Sequence, residues 1–174
     1  VGGIFIGRSP TAIEQVVAGP YCDRIEQAAA ARKLQPVNGR GGREGGGPLR
    51  VGYLTKSAYR HSMGYILLGM LSNHGDAVRA TVYDSDHQYH TDSVAEGIRK
   101  AADDYHRIDL HDLEAAHKAA QTIAADGIDV LVDLEGACQP GYARLHYFRP
   151  APVSCAYAGA DAAGIRFIDY YLAD

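Results

Sequence analysis

Residues 49–72, LRVGYLTKSAYRHSMGYILLGMLS, decide the fold of this chain. Leu49 to Thr55 are mostly apolar, as in a buried strand, and a polar loop that ends at His61-Ser62 follows them. Beyond the loop, apolar residues recur with helical spacing at Met63, Ile66, Leu67, Met70 and Leu71. We therefore predict a strand, a loop and an amphipathic helix, with the Ser62 hydroxyl as the N-cap of that helix.

The loop between this strand and its helix places His61 at a position where ligands usually bind. In an open α/β sheet, ligands lie at the carboxyl ends of the strands, so a histidine in the first such loop faces the cleft. Two other interpretations stay open at this point. His61 is equally explained as a partly exposed loop histidine or as a cap of the helix that follows.

Length and composition indicate a globular domain. The chain has 174 residues, enough for one domain with a sizeable core, and 22% of them are charged while 47% are hydrophobic. A net charge of −4 gives no sign of a nucleic-acid surface. No apolar run is long enough to span a bilayer, and no signal peptide opens the chain. We expect neither nucleic acid nor a membrane as a partner.

The cysteines and histidines show no metal-binding pattern. Cys22, Cys138 and Cys155 are odd in number and lack the spacing of a metal site, so a reducing cytoplasm fits best. Of the eight histidines, His87 and His90 lie three apart in a polar loop, but no further ligands converge on them. We expect a solvated loop there and no metal.

Strands and helices alternate after residue 49. Further strands are predicted at Val78–Tyr83, Arg107–Leu110, Ile128–Leu134, Val153–Tyr157 and Phe167–Leu172. Three helices are predicted between these strands. One begins after the cap Thr91, carries Tyr105 and ends at His106, and the next begins after the cap Asp112 and is ended by Gly127. The third spans Tyr142–Phe148. This order implies right-handed crossovers and an α/β fold with a doubly wound parallel sheet of the Rossmann type.

The first 48 residues are less informative. A short strand is predicted at Val1–Gly7, with helices at Thr11–Val17 and Cys22–Leu34. Asn38–Gly47, NGRGGREGGG, is too rich in glycine to order cheaply and reads as a flexible linker. We therefore divide the chain into a helical segment with its linker, residues 1–48, and a Rossmann-like domain, residues 49–174.

Two carboxylates flank the end of the most buried strand. Asp133 and Glu135 could act as acid and base if they shared a proton, but alternate residues of a strand point to opposite faces. Asp133 could instead hold the backbone of the following loop. His146 lies on a short helix and belongs either to the core or to the cleft. The chain has no GxSxG elbow, no GxxxxGK[ST] loop and no GxGxxG after the first strand.

Six stretches of the chain together resemble one known family. They are RVGYL (50–54), HSMGYILLGML (61–71), IDL (108–110), ADGIDVLVDLEG (125–136), FRPAPV (148–153) and FIDYYLAD (167–174). Their order and spacing resemble the catalytic region of the O-linked N-acetylglucosamine (O-GlcNAc) transferases, the SPINDLY-like family, and most closely its bacterial members. The resemblance covers residues 49–174.

This resemblance implies the N-terminal lobe of a two-lobed, GT-B glycosyltransferase. Members transfer N-acetylglucosamine from UDP-GlcNAc to Ser or Thr of proteins, with inversion and without an obligatory metal or other cofactor, and they commonly carry helical repeats upstream. A protein acceptor and a nucleotide-sugar donor are the implied partners. His61 matches the family's active-site histidine, whose imidazole can accept a proton or orient a hydroxyl. The loops of Gly136 and Gly159 match those that line the nucleotide-sugar cleft.

Several loop residues depart from the family pattern. Ser57 and Ala58 stand where the family often has Asp-Phe, and the loop of Gly159 is shortened. These departures leave a second hypothesis open, a diverged, non-catalytic α/β module that binds protein or a sugar nucleotide. A related transferase with another donor is a third. Because this chain matches the first lobe only, we expect it to be inactive by itself even if its parent is an enzyme.

Overall fold

The structure is a computed structural model that describes residues 5–7, 12–41, 46–136, 140–157 and 165–173. Its strands are β1 (Phe5–Gly7), β2 (Leu49–Thr55), β3 (Val78–Asp84), β4 (Asp104–Arg107), β5 (Val130–Asp133), β6 (Val153–Tyr157) and β7 (Tyr170–Ala173). Its helices are α1 (Ala12–Ala31), α2 (Ser62–Ser72), α3 (Ser93–Ala101), α4 (Leu113–Ala125) and α5 (Pro140–Tyr147). Among the described residues, no helix is both long and apolar enough to cross a membrane.

The strands form one sheet in the order β1-β7-β6-β5-β2-β3-β4. All neighbouring pairs are parallel except β1 and β7, which pair antiparallel at the edge. The predicted doubly wound parallel sheet is therefore confirmed, with β1 added to it. The chain winds outward from β2 through β3 to β4, then returns to the other side of β2 at β5. The carboxyl ends of β2 and β5 thus form the topological switch point, where such sheets bind ligands.

Helices cover both faces of the sheet, and the residues of β2 contribute to the apolar core on each face. Val51 and Tyr53 belong to the apolar cluster that α2 and α3 complete with Leu67 and Ile98. Leu54 belongs to the other cluster, with side chains from α1, α4 and α5. Alternate residues of a strand point to opposite faces, so a strand buried on both sides is apolar at nearly every position.

Gly52 interrupts that apolar run because the ring of Tyr83 occupies the space beside it. A Cβ atom at Gly52 would lie 2.9 Å from Cε2 of Tyr83. The Tyr83 side chain is fully buried, and its hydroxyl donates to Asp126 over 2.6 Å. Burial, followed by this hydrogen bond, raises the pKa of Tyr83. Gly52 is therefore a packing glycine inside a strand, as predicted, and is not part of a phosphate-binding turn.

The main error in the predicted elements concerns α3 and β4. The helix prediction placed Tyr105 on a helix and His106 at its end, but α3 ends at Ala101 and both residues lie on β4. The Tyr105 hydroxyl donates to Asp84 over 2.5 Å, and the His106 ring stacks on Tyr83 at 5.6 Å. These contacts with β3 place the strand at Asp104–Arg107, three residues before the predicted Arg107–Leu110.

Two predicted helix caps are displaced by one residue. Asp92, not Thr91, caps α3, because its carboxylate accepts from the backbone of both Val94 and Ala95. Likewise His61, not Ser62, is the N-cap of α2. Asp112 caps α4 as predicted, accepting from the backbone N–H of Ala115 over 2.7 Å.

The N-terminal segment packs on the lobe. Two predicted helices are one, α1, which continues through Pro20. Ala18, Cys22, Ile25 and Ala29 are buried in the cluster that also holds α4 and α5. Farther along, the backbone N–H of Val37 donates to the carbonyl of Phe148. The boundary at residue 48 stays a prediction, and residues 42–45 of the glycine-rich stretch lie outside the described part of the chain.

Candidate active site

A cavity of about 370 Å³ opens at the carboxyl edge of the sheet. Its walls come from the loops after β2, β3 and β4 and from the first turns of α5. The lining residues are Lys56, Ser85, Asp86, His87, Leu110, His111, Gly141, Tyr142 and Arg144. The cavity lies where the rule for ligands of open α/β sheets expects it.

Glu135 joins the two loops at the switch point. Its Oε1 accepts from the Thr55 hydroxyl over 2.8 Å and from the backbone N–H of Lys56 over 3.1 Å. The Thr55 hydroxyl in turn accepts from the backbone N–H of Ser57. Thr55, Ser57 and Glu135 are all buried. Glu135 thus holds the loop after β2 in place. A buried carboxylate that already accepts these hydrogen bonds is better suited to positioning the loop than to acid–base catalysis.

Asp133 holds the loop after β5, as one of its two sequence interpretations predicted. Its Oδ1 accepts from the backbone N–H groups of Glu135 and Gly136, each over 2.8 Å. Its Oδ2 lies 3.2 Å from Nε2 of His146, and Nδ1 of His146 lies 3.3 Å from the Ser154 hydroxyl. Asp133, His146 and Ser154 are buried, so this row of groups is part of the core and not of the cleft. Asp133 and Glu135 have separate partners and share no proton.

His61 is exposed at the start of α2. Its Nδ1 accepts from the backbone N–H of Met63 over 3.3 Å, so it is the cap that one interpretation foresaw. A nitrogen that accepts carries no proton, so the neutral ring has its hydrogen on Nε2. In this arrangement the free nitrogen of His61 is a hydrogen-bond donor. His61 is not among the residues that line the cavity.

The loop that carries His61 folds tightly over the first turn of α2. A Cβ atom at Gly64 would lie 1.9 Å from the carbonyl oxygen of Tyr59, so only glycine fits there. The Tyr59 ring stacks on His90 with centroids 4.0 Å apart. The loops after β2 and β3 therefore support each other at the same edge of the sheet.

Hydrogen bonds within the loop after β3 hold Asp86 in its charged form. Its carboxylate accepts from the backbone N–H of Gln88 and lies 3.0 Å from Nε2 of His90. Burial favours a higher pKa for Asp86, but these hydrogen bonds outweigh it and the pKa is lowered. His87 is exposed, as the solvated-loop prediction expected, but His90 is half-buried between Asp86 and the ring of Tyr59, so for His90 that prediction was wrong. Among the described residues, no group of three or more His, Cys, Asp or Glu is placed to hold a metal ion.

The two predicted glycines have different outcomes. Gly136 has a φ of +59°, a left-handed conformation that L side chains rarely adopt, and it turns the chain at the end of β5. Its contact with a nucleotide sugar stays a prediction, as does the catalytic role of His61. Gly159 lies outside the described residues.

Sequence analysis missed most residues of the cavity wall, among them Lys56, Ser85, Tyr142 and Arg144. The Ser85 and Tyr142 hydroxyls lie 2.7 Å apart in a hydrogen bond. Burial raises the pKa of Tyr142 well above its usual value, so this phenol is neutral at physiological pH. Lys56 and Ser85 directly follow strand ends, and that position was the available signal. Tyr142 and Arg144 reach the cavity only because α5 packs beside the loop after β4.

Comparisons with known proteins show the family and the fold of this chain. The sequence model of glycosyl transferase family 41 matches residues 26–174, which includes part of α1. A Caenorhabditis elegans protein named UDP-N-acetylglucosamine–peptide N-acetylglucosaminyltransferase is 26% identical over 136 residues. Those residues are 75% of this chain and 11% of the relative.

A solved structure shows the same fold. The O-GlcNAc transferase mutant from Thermobaculum terrenum superposes with a TM-score of 0.67 at 22% identity, covering 92% of this chain and 34% of that one. This chain therefore spans about a third of the solved relative. The family match covers most of the chain, the sheet has the strand order of a Rossmann-like lobe, and the cleft lies at its switch point. The chain belongs to glycosyl transferase family 41.

Proposed function

We propose that this chain is the N-terminal lobe of a two-lobed glycosyltransferase that transfers N-acetylglucosamine from UDP-GlcNAc to Ser or Thr of proteins. The observation that carries the proposal is the family match over residues 26–174, on a fold whose cavity opens at the carboxyl edge of the sheet. The name of the C. elegans relative supports the donor and the peptide acceptor. This lobe alone is inactive, because a GT-B site needs a second lobe to close over the donor and exclude water.

In this proposal His61 is the active-site histidine and acts as a hydrogen-bond donor. Nδ1 of His61 already accepts from the backbone N–H of Met63, so Nε2 carries the proton. That N–H can donate to the acceptor hydroxyl and orient it, or donate to a phosphate oxygen. The loops of Gly136 and Gly159 contact the nucleotide sugar, and neither a metal nor another cofactor is required. Helical repeats upstream in the parent protein would present the acceptor.

The partners in this proposal are a protein acceptor and a nucleotide-sugar donor, in the cytoplasm. The net charge of −4 argues against a nucleic-acid partner. Cys22 and Cys155 are buried free thiols, and burial raises the pKa of Cys155 to about 11, so it stays a protonated, unreactive thiol. Free buried cysteines of this kind suit a reducing compartment.

One observation favours a second candidate, a diverged module that binds protein or a sugar nucleotide without catalysis. Ser57 and Ala58, at the positions of the family's Asp-Phe pair, are almost fully buried, 2% and 3% exposed. They therefore offer the cleft no acidic side chain.

Calorimetry with UDP separates the two candidates. We would titrate this chain and the longest protein that its gene encodes, and assay the latter for transfer to a Ser peptide. UDP binding and transfer by the long protein alone support the split-site transferase. UDP binding without transfer supports the non-catalytic module, and no binding by either protein contradicts the proposed donor.

A further inference from the structure

Two cations line the cavity without a carboxylate partner. Lys56 and Arg144 are both half-buried in its wall. In the part of the chain that the structure describes, neither forms an ion pair, and the Arg144 guanidinium donates only to the carbonyl oxygen of His111 over 2.9 Å. By contrast, Arg32, Arg79, Arg149 and Arg166 each pair with carboxylates outside the cavity.

The other charged groups of the wall are already engaged. The Asp86 carboxylate meets His90 and the backbone N–H of Gln88. The His111 ring contacts Asp109 at 2.6 Å and Asp112 at 3.0 Å. With Asp86 charged and the histidines neutral, Lys56 and Arg144 leave the lining residues with a net charge of +1, and they are the two cations of the wall without a carboxylate partner. A half-buried cation attracts an anionic ligand more strongly than an exposed one does, because less water screens it.

The loop after β2 is unsuited to a diphosphate. Rossmann folds bind diphosphates on a glycine-rich first turn and the free amides of the next helix. Here residues 56–61, KSAYRH, contain no glycine, and His61 already occupies the backbone N–H of Met63. An anion in this cavity is met by side chains, the Lys56 ammonium and the Arg144 guanidinium, with the Ser85 and Tyr142 hydroxyls between the loops. A guanidinium matches the two oxygens of a carboxylate.

We propose that this cavity binds an Asp or Glu side chain of the acceptor protein, close in sequence to the hydroxyl that is glycosylated. The inference rests on the proposed function for the existence of an acceptor, but acceptor binding by this lobe requires neither donor nor transfer. The cavity then contributes to acceptor choice, with Lys56 and Arg144 as specificity-determining residues.

Fluorescence anisotropy with two labelled Ser peptides tests the proposal on this chain. One peptide carries two Glu residues beside the Ser, and the other carries Gln in their place. We expect the Glu peptide to bind about tenfold more tightly, and this preference to fall below about threefold in the double variant Lys56→Gln, Arg144→Gln. The matched control, Lys118→Gln on the exposed side of α4, keeps the preference. Equal binding of the two peptides to the unchanged chain overturns the proposal.

Charge reversal provides a second variant that does not depend on a loss of signal. Lys56→Glu with Arg144→Glu should bind a Lys-bearing Ser peptide more tightly than the Glu peptide, provided that circular dichroism shows the fold unchanged. If the double Gln variant unfolds, this reversed preference is the deciding result. A charge-reversed chain that still prefers the Glu peptide contradicts the assignment.

Competition identifies the source of the anion. Inorganic pyrophosphate at tens of micromolar should leave the Glu peptide bound, whereas displacement at that concentration would assign the cavity to a phosphate group and overturn the acceptor proposal. UDP calorimetry on the long protein separates the two failures. A long protein that binds UDP, together with a lobe that shows no preference for Glu, rejects this inference and leaves the proposed function standing.

Discussion

His61 has two functions in our proposal, and a substitution can separate them. Its Nδ1 caps α2 by accepting from the backbone N–H of Met63, while its Nε2 is free to contact a substrate. The cap function follows from the position of His61 at the helix start. The second function needs the imidazole itself, because neither a shorter amide nor a methyl group can place a donor at the same distance.

His61→Ala should lower the free energy of unfolding by about 1 kcal/mol, the usual cost of losing an N-cap. His61→Asn should recover most of that loss, because Asn caps well. Urea unfolding measures both variants, and in the longest protein both should lose transfer activity. An Asn variant with unchanged turnover would show that His61 is only a cap.

Gly64→Ala should destabilise the lobe by at least about 3 kcal/mol, the upper end of ordinary overpacking, because its Cβ would lie 1.9 Å from the backbone oxygen of Tyr59. Gly69→Ala on the same helix is the matched control, since nothing lies within 4 Å of its Cβ. That variant should gain up to about 1 kcal/mol from helix propensity. Equal effects of the two variants in urea unfolding would contradict the packing argument.

His111 should titrate above its usual value. The side-chain hydrogen bond to Asp109 is the main cause that raises the pKa of His111, with further contributions from the charges of Asp109 and Asp112. The pKa of His111 is higher in the folded chain than in the unfolded chain, where it is about 6.5. The charged ring therefore stabilises the folded state fully below about pH 6.5, and this stabilisation is lost as the pH rises through the folded-state pKa. Asp109→Asn should lower the midpoint of the His111 ring in an NMR titration, and an unchanged midpoint would refute this cause.

At the scale of elements, two carboxylates connect the loops that form the cleft. Glu135 connects the end of β5 to the loop after β2, through Thr55 and Lys56. Asp133 connects the same strand end to α5 through His146, which in turn contacts Ser154 on β6. The strand ends at the switch point are therefore held by buried polar contacts, and the loops around the cavity inherit that geometry.

Asp133→Ala should cost about 3 kcal/mol of unfolding free energy, because it leaves two backbone N–H groups and one nitrogen of His146 buried without a partner. Ser154→Ala should cost only about 1 kcal/mol, since it removes a single long contact of 3.3 Å. Urea unfolding compares the two variants. Equal costs would mean that Asp133 does not hold the loop after β5 in the way we describe.

At the scale of the whole molecule, α1 is part of the same apolar core as the lobe. Ile25 is 5% exposed, within the cluster that includes α4 and α5, and Arg166 pairs with Asp23 and Glu26 beside it. The family match that begins at residue 26 also includes the end of this helix. The helix before the glycine-rich stretch therefore contributes to the stability of the sheet.

Ile25→Ala should lower the global free energy of unfolding by about 3 kcal/mol, as other core truncations do. Hydrogen exchange at the backbone N–H groups of β5 reports this, because they lie in the centre of the sheet, far along the chain from α1. Gln27→Ala, on the exposed side of the same helix, is the control and should change little. Unchanged exchange in β5 of the Ile25 variant would show that α1 folds independently.

The sequence predicted well those helices and strands whose bounds depend only on nearby residues. The bounds of β2 and β6 match the predictions, and so do the cap at Asp112 and the left-handed Gly127, which has a φ of +67°. Each depends on hydrophobic period or on the chemistry of one residue. The errors at Tyr105 and His106 have another origin. Both bear contacts to β3 that override a helical pattern, and no local signal carries them.

The amino-acid sequence by itself determined the alternation of strands and helices, the position of the cleft at the loops after the strands, and the family to which the chain belongs. Hydrophobic periodicity, helix caps and motifs are properties of short stretches, so they can be recognised in the sequence without the structure. Only the tertiary structure decided that His146 is part of the core and that Lys56 and Arg144 share one cavity. Those facts depend on which segments the sheet brings together. Lys56 and Arg144 are 88 residues apart along the chain, and no local pattern encodes a contact across such a distance.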